Sequence, residues 1–213
     1  MLKDTLHRLR LWLLGRKRSP EYRAYLKEQM VRSLSKRSAD TAARSRRMAV
    51  LAARFVSDPS ACRVLCIGPR GPAELAGFRE AGFGEVVGID LFSADPDIRV
   101  MDMHHMTFDD DTFDLVNTCH SLEHSYDVAR AISEIVRVAQ PGAIVAIEVP
   151  VRFGAGGADR VDFGSADAVL AAFGDAVKEV LLKEELPPKS PTNDTGTDVA
   201  RVVLALAKGR EHG

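Results

Sequence analysis

The chain has no apolar run near the roughly 20 residues that a membrane-spanning helix needs, so its 213 residues do not read as a helical membrane protein. The longest early run, Leu11 to Leu14 with Trp12 inside it, is too short for the apolar region of a signal peptide, and no small-residue cleavage site follows it. Cysteine is scarce. Cys62, Cys66 and Cys119 form an odd set with no C-x-x-C pair, which argues against a disulfide scaffold and makes a reducing cytoplasm the expected location. Internal repeats and low-complexity segments are missing as well. What is present is 46% hydrophobic and 28% charged residues, an ordinary globular balance that allows a sizeable core.

A net charge of -1 conceals an asymmetry. Residues 1–58 hold 15 Lys and Arg against 5 Asp and Glu, and the remainder holds 14 against 25. A basic arm thus precedes an acidic body. Within the arm, Leu2, Leu6, Leu9 and Leu13 recur at helical spacing among Lys3, Arg8, Arg10 and Arg16 to Arg18. Such a helix can lie on an anionic membrane surface, which would place residues 1–18 in peripheral membrane contact. It can equally dock on its own domain or on a second subunit, as in a homodimer. Ser19, Pro20 and Glu21 read as a helix start for a segment reaching about residue 37. A third helix follows Asp40 and ends before Asp58 and Pro59, with Met48, Leu51, Ala52 and Phe55 inward. Arg44, Arg46 and Arg47 lack interleaved aromatics, so they read as a solvated face and no nucleic-acid partner is expected.

The stretch Arg63 to Asp90 organises the rest. Val64, Leu65 and Ile67 form a short apolar strand ending in Gly68, Pro69, Arg70 and Gly71. Leu75, Phe78 and Ala81 follow at helical spacing, then Val86 to Ile89 leads into Asp90. Strand, glycine loop, helix, strand and terminal acid make the layout of a nucleotide-binding βαβ unit. Glycines let the backbone turn sharply and approach a ligand, and a terminal acid can accept both hydroxyls of a ribose. Further strands are expected at 98–101, 112–119 and 143–149. A helix from about Asp127 to Ala139 is expected to stop at Pro141 and Gly142. Alternating strands and helices imply a parallel sheet covered on both faces. Residues 178–186 and 199–206 leave no room for a crossover helix between them and must form an antiparallel hairpin.

This plan, with an acid after each of the second and third strands, resembles the class I S-adenosylmethionine (SAM)-dependent methyltransferases. The local wording resembles their small-molecule branch, which includes quinone-biosynthesis enzymes. Phe113 to Val116 precedes His120, Ser121, Leu122, Glu123 and His124, and Glu134 to Ala143 reads E-x-x-R-x-x-x-P-G. The likeness spans roughly Arg63 to Pro150, and residues 1–58 lie outside it. The resemblance implies a Rossmann-like α/β fold with a seven-stranded sheet of order 3-2-1-4-5-7-6, the last strand antiparallel. It divides the chain into a basic helical extension, 1–58, and a methyltransferase-like domain, 59–213. The first loop departs from the family pattern D/E-x-G-x-G-x-G, because Cys66, Gly68, Arg70 and Pro72 stand at the aligned positions. The leading acid, which helps hold the methionine-end ammonium of SAM, is therefore missing, with Glu74 a candidate to approach from the following helix.

By the same resemblance the cofactor is SAM, contacted by Cys66, Gly68, Gly71, Asp90, Leu91, Asp102, Met103 and His120. Asp90 would hold the ribose hydroxyls, and Asp102 with Met103 would flank the adenine. Asp102 reads equally well as a turn cap in its own sequence context. For a hydroxyl or amine acceptor the reaction needs alignment and a base. His120, Glu123 and His124 are the catalytic candidates, His120 foremost, with His104 and His105 on the neighbouring loop. A metal held by His120 and Glu123 is a lesser reading, and no resident metal is assigned. His120, Glu123 and His124 also spell the H-x-x-E-H of one metalloprotease class, whose motif lies within a helix. Arg152 and Arg160 could clamp a phosphate or carboxylate of the acceptor, a small molecule such as a sugar or other surface-polymer precursor. A non-catalytic member of the fold is the alternative.

Overall fold

The computed structural model describes residues 18–35, 42–93 and 95–207. Residues 1–17, and with them the basic amphipathic helix, lie outside the described residues. Seven strands form one sheet in the order β3-β2-β1-β4-β5-β7-β6. They are β1 (Arg63–Ile67), β2 (Glu85–Asp90), β3 (Ile98–Val100), β4 (Phe113–Cys119), β5 (Ala139–Val151), β6 (Val177–Leu186) and β7 (Asp198–Leu206). The first five pair in parallel, and β7 runs antiparallel to both β5 and β6. The expected order and the hairpin are both present.

Strand alternation divides the core between the two faces of the sheet. Val64 and Cys66 face one way, where α2 (Ala42–Ala53) supplies Met48, Ala49 and Ala52 and α3 (Pro72–Glu80) supplies Leu75 and Phe78. Leu65 and Ile67 face the other way, against Ile132 and Ile135 of α4 (Val128–Val138) and Val169 and Phe173 of α5 (Ala166–Phe173). Each fully buried Leu, Ile or Phe contributes about 1.5–3 kcal/mol relative to exposure. The helix starts follow capping chemistry. Asp127 accepts the Arg130 amide at 3.0 Å, Ser165 accepts that of Ala168, and Ser19 accepts that of Tyr22 at the head of α1 (Pro20–Ser35).

One boundary differs from expectation: Pro141 and Gly142 do not terminate a helix. Helix α4 ends at Val138, and Ala139 already pairs with Phe113 at the head of β5. The register then shifts before Leu115 pairs with Ile144, so the Pro-Gly pair is a bulge within the strand. Gly142, at φ +83°, takes the left-handed conformation that this bulge requires.

Glu134 and Arg137, half of the methyltransferase-like string, tie α4 to the β3–β4 connection. Glu134 accepts the Met106 amide at 2.7 Å, while Arg137 donates to the Met106 and Phe108 carbonyls and pairs with Glu134 and Asp110. Neither is among the residues lining the cleft at the strand ends.

Candidate functional site

The sheet order reverses between β1 and β4, and a cleft opens over the carboxyl ends of β1, β2 and β4. It encloses about 620 Å³, part of it open to solvent. Ile67, Gly68, Ile89, Asp90, Leu91, Met101, Met103, His120, Ser121 and His124 are among its walls. Such a switch point is where open α/β sheets take ligands.

Gly68 and Ser121 explain each other. At φ +78° the chain leaves β1 in a left-handed turn, and a Cβ on Gly68 would run into the Ser121 side chain. The Ser121 hydroxyl donates to the Ile67 carbonyl at 2.8 Å and meets that of Thr118 at 2.7 Å, stitching the ends of β1 and β4 together. Gly71 serves differently from expectation. It is the N-cap of α3 in extended backbone, a Cβ there would meet nothing within 4 Å, and it is not a wall of the cleft. Cys66 is also displaced from its expected role. It is buried in the core on the α3 side, and burial pushes its thiol far above the usual range, so it brings no charge to a ligand.

Asp90 ends β2 facing the cleft, and its Oδ1 accepts the Phe92 amide at 2.7 Å. Burial pushes its carboxyl up to about 7; the nearby Glu74 charge adds to the rise, and the Phe92 amide, Arg70 and His124 oppose it. Asp102 is placed otherwise than expected. It is buried and lines no part of the cleft, although Met101 and Met103 beside it do. Its Oδ1 accepts from the His104 amide at 2.9 Å and from His104 Nδ1 at 2.7 Å, and its Oδ2 accepts the Tyr22 hydroxyl at 2.5 Å. Burial would raise this carboxyl, yet the His104 and Tyr22 donors outweigh it and hold it below the usual range. His104 Nε2 meets the Ser125 hydroxyl at 2.9 Å and the Tyr126 and Asp127 amides at 3.2 and 3.3 Å. Those amides can only donate, so Nε2 is the acceptor and Nδ1 carries the proton toward Asp102.

His120 follows β4 with φ +52°, a conformation rarely adopted by a side-chain-bearing residue. Its Nε2 lies 3.2 Å from Glu148 Oε1. Burial would raise Glu148, but the His120 hydrogen bond and the Arg201 charge prevail and hold it below the usual range. Arg201 grips Glu148 Oε2 at 2.8 and 2.6 Å and also pairs with Glu184 at 2.7 Å. Glu148 is thus an ionised acceptor, Nε2–H donates to it, and in the neutral ring Nδ1 is the basic nitrogen. Neither Glu148 nor Arg201 was singled out from the sequence. An acid inside a buried strand and an arginine in a near-continuous apolar run were the available signals.

The segment His120 to His124 is a strand end followed by a single 3-10 turn, Leu122–His124, which differs from the helix that the metalloprotease motif requires. Glu123 is buried, 3.8 Å from His120 Nδ1 and 3.7 Å from His124 Nε2, and its Oε2 has no hydrogen-bond partner among the described residues. His124 turns to the loop after β5, where its Nδ1 lies 2.9 Å from Asp159 and 3.1 Å from the Ala158 carbonyl. Glu123, His124 and Asp159 could together hold a cation, but Arg32 already pairs with Asp159 at 2.7 Å. Burial would raise Asp159, and His124 with Arg32 instead hold it well below the usual carboxylate range.

The loop of residues 152–164 separates the two candidate arginines. Arg152 is bound to Glu185 at 2.6 Å and Asp198 at 3.1 Å, fastening the loop to β6 and β7, and is not a wall of the cleft. Arg160 reaches toward α1, pairing with Glu28 at 3.0 Å and lying over Tyr25 and Tyr126. Helix α1 is the element whose place the sequence reading missed. Tyr25, Gln29, Arg32 and Ser33 line the cleft, and Gln29 donates to the Ala158 carbonyl at 3.0 Å. Their helical spacing was the available signal, since Tyr22, Tyr25, Gln29 and Arg32 recur every three or four residues along one face.

Residues 65–147 match the model of the methyltransferase domain family. No curated protein matches. Among solved structures, the chain is similar to the Burkholderia thailandensis 1,6-didemethyltoxoflavin-N1-methyltransferase, with TM-score 0.68 and 19% identity over 88% of this chain and 90% of that one. It is also similar to the N-methyltransferase NodS from Bradyrhizobium japonicum WM9, with TM-score 0.61 and 15% identity over 82% and 96% of the two chains. The [4+2]-cyclase SpnF is similar too, with TM-score 0.62 and 18% identity over 77% and 81%. Residues 65–147 thus match a methyltransferase domain, and the seven-stranded sheet around them has the class I methyltransferase fold.

Proposed function

We propose that the chain is a SAM-dependent methyltransferase acting on a small-molecule acceptor. The observation that carries this reading is the grouping of the Gly68 turn, the Asp90 carboxyl and the His120 ring around one cleft at the sheet's switch point. The residues present fit the cofactor. Asp90 Oδ1 is engaged by the Phe92 amide while the carboxyl faces the cleft, which suits a pair of ribose hydroxyls. Ile89, Leu91, Met101 and Met103 supply apolar wall for a purine. The bound cofactor supplies a methyl group already activated on a sulfonium.

The protein's part is alignment and proton removal. His120 is the base, taking the acceptor's proton on Nδ1, and Glu148, itself fixed by Arg201, keeps the ring turned that way. Glu123 Oε1 lies 3.8 Å from that Nδ1 and His124 fixes the loop after β5, so both are supports of the site. Helix α1 lines the cleft, and Ala158, Asp159 and Arg160 of the loop after β5 hold that helix. Arg160 at their seam is a candidate for an anionic part of the acceptor. Two of the similar structures are named as N-methyltransferases, one with 1,6-didemethyltoxoflavin bound. A nitrogen or oxygen acceptor agrees with a histidine base. A sugar or surface-polymer precursor rests on the looser sequence likeness alone.

A second reading is a binding protein of the same fold without methyl transfer. The missing acid at Cys66 favours it, and the cyclase shows that the fold hosts other work. Titration calorimetry with SAM and S-adenosylhomocysteine (SAH) separates the two. The enzyme reading expects both to bind at one site. Absence of heat and of any thermal shift with either ligand would leave the scaffold.

A further inference from the structure

The cofactor reading leaves one charge unanswered. SAM and SAH end in an amino acid, whose ammonium needs an acceptor when it leaves water. The strand-end position that would supply an acid holds Cys66, a neutral thiol in the core.

A side branch of the cleft shares Gly68, Arg70 and His120 with it and adds Arg44, Glu74 and Cys119. Among the described residues lining this branch, Glu74 is the one carboxylate. Its residue is 8% exposed, and its Oε1 accepts the Arg70 amide at 2.8 Å. The Ser45 hydroxyl of α2 donates to the Glu74 carbonyl at 2.7 Å, so two helices fix its position. The Glu74 charge also raises Asp90, Cys66 and Cys119, in keeping with its place among the lining of this branch. Cys119 is pushed well above the usual thiol range by burial and offers no competing charge. Arg44 and Arg70 line the same branch and suit the neighbouring carboxylate of the amino acid.

We propose that Glu74, reaching into this branch from the first turn of α3, anchors the ammonium of the cofactor's amino-acid end in place of the acid missing from the end of β1. The assignment rests on the cofactor reading above. It relocates the acid from strand to helix: the Arg70 amide holds one carboxylate oxygen in place, and the carboxylate charge meets the ammonium. The ribose would be held at Asp90 in the cleft and the amino acid at Glu74 in its branch.

The test pairs two ligands with one variant. SAH carries the amino-acid arm, and 5′-methylthioadenosine has the nucleoside and sulfur without it. Glu74→Gln keeps an oxygen for the Arg70 amide, so the start of α3 survives. Calorimetry is run on the full chain at about pH 8, where Asp90 is mostly ionised and its titration does not intrude. The variant should weaken SAH binding about 10–100-fold, the scale of a charge-assisted hydrogen bond, and leave 5′-methylthioadenosine unchanged. Equal weakening of both ligands would reduce Glu74 to a helix cap and overturn the proposal. Unchanged SAH affinity would overturn it as well, with the cofactor reading intact. If the wild-type chain bound neither ligand, the cofactor reading itself would fall, and this assignment with it.

Discussion

In the proposed reading Asp90 sets the pH behaviour of the site. Its carboxyl, raised to about 7 by burial, stays protonated in the free protein well above the usual carboxylate range. The native state therefore holds an extra proton between about pH 4 and 7, and that contribution to stability is lost as pH rises through this window. Hydroxyl donors from a ribose favour the ionised form, so binding must release that proton. SAH affinity should accordingly rise up to about tenfold per unit between pH 6 and 7 and level off near 8. Asp90→Asn should bind weakly at every pH, without that slope. A wild-type affinity independent of pH across this range would remove Asp90 from the ligand. In the proposed reading His120 governs the rate instead. With the true acceptor, His120→Ala should lower kcat by at least about 100-fold with SAH affinity nearly unchanged. Glu148→Gln should lower kcat less, by misdirecting the ring, and His124→Ala should cost least of the three. A larger loss at His124 would reverse the assignment within His120 to His124. Gly68, Asp90 and His120 were legible from sequence because strand-end positions follow from local pattern. Arg152 was not, because the acids that occupy it lie 33 and 46 residues away.

At the scale of elements, α1 is the part whose role sequence left open. Its helical pattern and its Ser19 cap were plain, but its seat over the cleft depends on distant contacts such as Tyr22 to Asp102, 80 residues apart. That bond also explains why Asp102 is absent from the cleft wall. Its acceptor oxygens already serve Tyr22 and His104, so the reading of Asp102 as a cap was nearer the mark than that of an adenine contact. Burial and the adjacent Asp102 charge push the Tyr22 phenol far above its usual range, which keeps it a donor. Tyr22→Phe removes the donor and leaves a buried carboxylate oxygen without it. The expected cost is about 1.5–3 kcal/mol, each kcal/mol lowering Tm by about 2–4 °C in a chain of this size. Amide exchange in residues 20–35 should quicken if this bond holds the helix down. An unchanged Tm together with unchanged exchange would show that Gln29, Arg32 and the Arg160 stack hold α1 without it. The Pro141–Gly142 bulge was hidden for a similar reason. The pairing of Ala139 with Phe113 is a tertiary choice that overrides a local stop signal.

For the whole molecule, several acids gather at the strand ends: Asp90 and Glu74 border the cleft and its branch, and Glu123 and Glu148 flank His120. Grouped carboxylates make a field suited to a cationic cofactor. The basic side chains Arg32 and Arg160 join α1 to the loop after β5. Sheet order follows from the alternation of short strands and helices, which is why the architecture could be read in advance while the cover could not. The central claim is that this switch-point cleft is a SAM site oriented by Asp90. The most direct measurement is a crystal structure of the full chain with SAH. The account predicts the ribose hydroxyls on the Asp90 carboxylate, the purine between Leu91 and Met103, and the sulfur toward His120. SAH bound elsewhere on the protein, or in the cleft with Asp90 contacting no part of it, would contradict the account.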